Sequence, residues 1–184
     1  MNTSNLHGGR DIHMSQNTED TRILVVLDDS EASMRAVRYA AKFAGRRKRF
    51  SICLAHVLPP LPPALREHGG SSDSAEERRL DIALRVEQDR WIAAAKERAQ
   101  ESLKQAGLLL GKGGVPGSAV QTLFCEPGEP EETADTLLRM ANECQCRTVV
   151  VGRQSVSWFH ELFSQDISEE LLRRGKGFCV WAVE

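Results

Sequence analysis

The stretch Arg22–Asp28 is a nearly continuous apolar run flanked by polar residues. An unbroken run of this kind predicts a strand buried on both faces of a parallel sheet; a half-exposed strand would alternate. Phe50–Leu58 repeats the pattern, and shorter versions occur at Ala119–Pro127, Arg147–Gly152 and Phe178–Val183. Between them the apolar period lengthens to that of a helix. Met34, Val37, Ala41 and Ala44 share one face, with Ser30 as a candidate N-cap, Glu31 in the first turn and Gly45 as a stop. A long helix is predicted over about Ala75 to Ala106 on Leu80, Leu84, Trp91, Ala95, Ala99 and Leu103, with a slip in rhythm at Gln88 that suggests a kink or partial exposure. Glu129–Glu143 carries Pro130 near its first helical position and Ala134, Leu137, Leu138 and Ala141 on one face. A short helix is expected from about Ser164 to Arg174, closed by Arg173, Arg174 and Gly175.

Strand and helix therefore alternate from end to end. Right-handed crossovers turn that order into a five-stranded parallel sheet with helices on both faces, an α/β fold. Ligands of such sheets bind beyond the strand C-termini, which directs attention to Asp28, Asp29, Gly152 and Arg153. Two segments stand apart. Pro59–Ser74 is too rich in proline, glycine and serine for regular structure. Residues 1–20 are polar and aperiodic and read as a disordered arm, with the folded domain at 21–184; Met14, after His13, is a candidate native start preceded by residues left from cloning.

Composition narrows the partners. The 184 residues suit one domain, 41% apolar and 27% charged, with a net charge of −2 that gives no reason to expect nucleic acid or an anionic membrane. No apolar run approaches the roughly 18 residues of a membrane span, and no secretory signal core is visible, so the cytoplasm is expected. Five cysteines are scattered: Cys53, Cys125 and Cys179 in strand-like runs, Cys144 and Cys146 as C-x-C at a helix end. Without paired C-x2-C spacing they read as reduced structural thiols, not as a zinc knuckle. Arg46–Arg49 reads as a solvated turn after a helix. Gly111-Lys112 is not a phosphate loop, because Ala106 replaces its first glycine and Gly113 its hydroxyl residue. The histidines show no ligand spacing, and no G-x-S-x-G elbow or cysteine–histidine pair is evident.

The segments ILVVLDDSEASMRAVRYAAKFA, ICLAHVLPP and VVVGRQSVSWFHELFSQDISEELLRRGKGFCVWAVE together resemble the universal stress protein family across Thr21–Glu184. The resemblance implies a Rossmann-like, adenine-nucleotide alpha-hydrolase-like fold with strand order 3-2-1-4-5. It also implies a homodimer formed through the last strand, here Phe178, Val180, Trp181 and Val183. An open apolar edge strand favours such a partner on physical grounds. The alternative is that Trp181 packs beneath the last helix.

ATP-binding members of the family carry G-x2-G-x9-G-[ST] in the closing segment. Here Gly152 keeps the first position, while Ser155, Gln165 and Asp166 replace two glycines and the hydroxyl. Gln165 adds bulk where backbone must approach phosphate. Asp166 sets a carboxylate at a helix N-terminus that would otherwise attract anions. Two like charges about 4 Å apart at an effective dielectric near 20 repel by roughly 4 kcal/mol, half of the roughly 8 kcal/mol behind micromolar affinity. On the base side, Asp28 matches the family's adenine-contacting aspartate and Val57 a residue beside the base, although an aspartate there also serves as a turn or cap. Asp29 stands where the family has glycine. The expectation is a non-enzymatic, dimeric stress-response module with weak or no ATP binding and no metal or other cofactor. Two alternatives stay open. One is a nucleotide-binding protein, even a slow ATPase, using Arg153, Ser155 and His160 as donors. The other is a cation or amine held by Asp28, Asp29 and Asp166.

Overall fold

The computed structural model describes residues 21–45, 49–67, 69–70, 72–126, 130–153 and 167–184. Five parallel strands, β1 (Thr21–Leu27), β2 (Phe50–Val57), β3 (Val120–Cys125), β4 (Cys146–Gly152) and β5 (Cys179–Val183), form one sheet in the order β3-β2-β1-β4-β5. The helices are α1 (Glu31–Ala44), α2 (Ser74–Lys112), α3 (Pro130–Glu143) and α4 (Ile167–Arg174). The fold class and strand order are those expected.

The apolar runs are explained by what covers them. Ile23, Val25 and Leu27 of β1 face α1 and α2 along with Ile52, Leu54, Ala36, Val37 and Leu110. Leu24 and Val26 point to the other face, against Leu137, Ala141 and Leu171 of α3 and α4. Every residue from Ile23 to Leu27 is buried, as two-sided coverage requires. Burial on this scale, at about 25 cal/mol per Å² of apolar surface, is the main drive to fold.

The long helix differs from expectation at its end. It runs on through Gly107 to Lys112, because Leu103, Ala106 and Leu110 continue one buried stripe. That packing outweighs the roughly 1 kcal/mol a mid-helix glycine costs. Its first half is covered on only one side: Ile82 and Val86 are 64% and 49% exposed. Partial exposure around Gln88 is therefore observed, and Gln88 Nε2 donates to the Leu65 carbonyl at 2.7 Å. That bond ties the helix to a short 3-10 turn, Pro63–Leu65, inside a segment expected to lack regular structure.

Glycines mark close approaches. The Gly111–Gly114 run ends α2 and lies against the end of α1, where a Cβ on Gly113 would sit 2.7 Å from the Ala41 Cβ. Gly114 has φ +94°, a conformation that favours glycine. At the C-terminal end of β4, a Cβ on Gly152 would lie 2.2 Å from the Ala32 carbonyl oxygen and 2.7 Å from the Ser33 nitrogen. The neighbour there is backbone, which cannot rotate away. Among the described residues, α4 is anchored by buried Glu170, which accepts from Arg173 and Arg174, while Arg174 Nη1 also reaches Asp135 Oδ2 of α3 at 2.9 Å.

Two outcomes follow from this packing. Gly152→Ala is expected to lose about 3 kcal/mol or more of stability in urea denaturation, with or without nucleotide, since overpacking against backbone has no cheap relaxation. The guanidinium groups of Arg173 and Arg174 hold the Glu170 carboxyl below the usual carboxylate range. A folded-state pKa below the unfolded one stabilises fully above about pH 4.3, and the contribution is lost as pH falls through the folded value. The destabilisation of Glu170→Gln should thus be constant from about pH 6 to 8 and shrink below roughly pH 4.

Candidate functional site

The strand ends assemble the predicted site only in part. β1 pairs with both β2 and β4, so Asp28 and Asp29 leave the sheet between Val57 and Gly152. Sequence reasoning placed these four residues and Arg153 at one end of the sheet, and they are there. Ser155, Trp158, Phe159, His160, Gln165 and Asp166 lie outside the described residues, as does the expected helix start at Ser164.

Asp28 follows the last residue of β1 and begins the turn into α1. Its Oδ1 accepts from the Ser30 backbone nitrogen at 2.9 Å and from the Ser30 hydroxyl. The Ser30 hydroxyl in turn accepts from the Ser33 nitrogen at 3.1 Å, the expected N-cap. Ser33 Oγ closes the set by donating to the Asp28 carbonyl at 2.8 Å. An aspartate two residues before a backbone donor makes an Asx turn, so the local sequence alone accounts for its geometry.

Asp29 faces the other way. Its Oδ1 accepts from Ser102 Oγ of α2 at 2.6 Å and lies 3.4 Å from Nε2 of His56. His56, near the end of β2, is 1% exposed, and neither ring nitrogen forms a hydrogen bond among the described residues. Its ring lies 6.3 Å from that of Phe124 on β3. The Asp29 carboxylate is 68% exposed and so shares its attention with solvent. Ser102, Asp29 and His56 have the composition of a hydrolytic triad but the wrong order: the carboxylate stands between serine and imidazole, so the imidazole is not hydrogen-bonded to the hydroxyl. The sequence did not reveal this group. Ser102 sits 73 residues from Asp29, and a serine on a polar helix face carries no signal.

Arg153 turns toward the far edge of the sheet. Its nitrogen donates to the Val183 carbonyl at 2.7 Å, and its carbonyl accepts from Arg35 Nη2 at 3.1 Å. Its guanidinium lies 3.7 Å from Glu169 and 3.6 Å from Glu184. Val57 is half-buried and packs against the core cluster on the face covered by α3 and α4. Among the described residues, no group of three histidine, cysteine, aspartate or glutamate side chains is arranged to hold a metal ion.

Among the described residues, the last strand is an edge of the sheet, and its side chains are partly used within the chain. Phe178 and Val180 pack toward α3 and α4; Trp181 and Val183 pack toward α1 and α2. Trp181 meets Phe43 edge-on at 4.8 Å and Tyr39 at 5.7 Å. The helix over Trp181 is therefore α1, not the last helix. Among the described residues, no helix is long and apolar enough to cross a membrane.

Solved structures share this architecture. Hypothetical protein MJ0577 aligns with a TM-score of 0.59 and 16% identity, covering 90% of this chain and 96% of its own. A universal stress protein solved in complex with cAMP aligns with a TM-score of 0.53 and 19% identity, covering 89% and 96%. Hypothetical protein PH0823 aligns with a TM-score of 0.51 and 19% identity, over the same shares. At these identities the likeness shows the fold. No curated protein sequence matches the chain closely enough to add to the comparison. The sequence pattern of the family matches residues 21–177, from the start of β1 to the turn before β5, and on that match the chain belongs to the universal stress protein family.

Proposed function

We propose that this universal stress protein is a non-enzymatic, dimeric interaction module that binds adenine nucleotides weakly or not at all. The observation that carries this reading is the engagement of its strand-end polar groups. Asp28 caps the α1 turn, Asp29 accepts from Ser102, and Arg153 lies between Glu169 and Glu184. A ligand seeking these groups would have to displace protein contacts already made: hydrogen bonds to a carboxylate at about 1.5–3 kcal/mol each, and the exposed Arg153 ion pairs at about 0–1 kcal/mol. The replacement of glycine, glycine and a hydroxyl by Ser155, Gln165 and Asp166 supports the same reading from the sequence.

The dimer would use β5. Among the described residues its outer edge has no strand beside it, and a short, apolar, unpaired edge is a template for a second copy. With Trp181 already against α1, an added strand would extend the sheet through backbone hydrogen bonds without exposing the ring.

Nucleotide binding is the second reading. It is favoured by the unbonded ring nitrogens of buried His56 beside the strand ends, and by a protein of the same fold having been solved with cAMP. Native mass spectrometry of the purified protein separates the two. The expected spectrum is a dimer without nucleotide, with calorimetry giving an ATP dissociation constant above about 100 μM, weaker than roughly 5.5 kcal/mol. A monomer would remove the dimer, and co-purified adenine nucleotide would remove the weak-binding reading.

A further inference from the structure

The long helix outruns the sheet it covers. α2 has 39 residues, about 58 Å at 1.5 Å per residue, whereas the longest strand, β2, has 8, about 26 Å. The buried residues of α2 begin at Ala95; among the described residues, Ser74–Ala94 contributes none to the core. One face of this projecting half is steadied by the chain itself. Trp91 packs against the cluster of Leu58, Ala95 and Ala99, and Gln88 donates to the Leu65 carbonyl at 2.7 Å. A helix of this length held mainly by its own backbone is marginal in water, so a second packed face would stabilise it.

Opposite that face runs another stripe. At 3.6 residues per turn, Ala75, Arg79, Ile82, Val86, Asp89 and Ala93 lie within about 80° of one another, roughly half a turn from Leu80, Leu84 and Trp91. All six are exposed, and Ile82, at 64%, is the most exposed large apolar side chain among the described residues. Their spacing alternates between four and three residues, the pattern of a coiled-coil seam. The stripe is also a palindrome in chemical type. From one end it reads alanine, arginine, isoleucine; from the other, alanine, aspartate, valine.

We propose that the projecting half of α2 packs antiparallel against the same segment of a second copy, about a two-fold axis level with Leu84. In that register Ile82 meets the partner's Val86, Arg79 meets the partner's Asp89, and Ala75 meets the partner's Ala93. Symmetry makes each contact twice. Charge selects the direction: parallel pairing would set arginine against arginine and aspartate against aspartate, and antiparallel pairing sets opposite charges together. Arg85 flanks the axis in both copies, one turn from Asp81 and Asp89 of its own helix, which temper the repulsion between the two guanidinium groups.

Space selects the extent. Leu84 is the midpoint of both the stripe and the projecting half, so the partner's helix starts level with the point where α2 settles onto its own sheet. The two domains then lie at opposite ends of the pair. With six stripe residues from each copy, against the roughly 20–30 a side of a standard interface, the contact is small and reversible. It forms as protein concentration rises and is separate from the β5 edge, which contains none of these residues.

The test is sedimentation equilibrium of the full chain at low salt, from micromolar to near-millimolar concentration. The weight-average mass is expected to rise about twofold toward the upper end as pairs form. Arg79→Asp and Asp89→Arg each place like charges across the pair, and each alone should weaken the association about tenfold, two ion pairs having turned repulsive. Mixed in equal amounts, the two variants again set opposite charges together at both positions. The mixture should associate like the unsubstituted chain, within about threefold, a rescue that no other surface of the molecule can supply. Both side chains are exposed, so the variants keep the fold, which circular dichroism checks. The proposal is overturned if the mass of the unsubstituted chain stays constant over the range, if either reversal leaves the association unchanged, or if the mixture associates no better than its components.

Discussion

Ala32 of α1 and Gly152 of β4 press backbone against backbone. With 2.2 Å between the Ala32 carbonyl oxygen and the position of a Cβ on residue 152, any side chain there would force the helix off the sheet. Much else depends on that approach. It fixes the entry of α1, whose buried Ala36, Val37 and Ala40 complete the core over β1. It also brings the end of β4 to α1, where the Arg153 carbonyl accepts from Arg35. The first glycine of the family's nucleotide motif is thus required here for packing, whether or not a phosphate ever approaches it.

That requirement gives the strand ends their character. In an open α/β sheet the C-terminal edge is the natural ligand side. In this chain the described polar groups at that edge are arranged to hold neighbouring elements: Asp28 its own helix, Asp29 the long helix through Ser102, Arg153 the last helix and the C-terminus. His56 is the exception. Among the described residues its buried ring nitrogens have no hydrogen-bond partner, and Nε2 lies 3.4 Å from Asp29, an arrangement that costs stability unless a polar atom joins it.

The architecture was legible in the sequence because burial on both sides of the sheet writes itself as unbroken apolar runs, as in Ile23–Leu27. Caps were legible for the same local reason: Ser30 and Glu31 act within a few residues of where they stand. The end of α2 was less so, since Gly107 signals a stop that only the packing of Ala106 and Leu110 overrules. Contacts between distant segments left no trace. Nothing in the spacing of Asp29 and Ser102 announces that they meet, because the packing of α2 against the sheet, and not sequence distance, brings them together.

The central claim is that the acids ending β1 serve the fold and not a nucleotide. The most direct measurement is an NMR titration of the uniformly labelled protein with magnesium-ATP, following the amide resonances of residues 28–33. The account predicts that these resonances stay in place up to millimolar ligand, with the Ser30 and Ser33 amides still protected by their bonds to Asp28 and Ser30. Saturable shifts of those amides at micromolar ATP would contradict it.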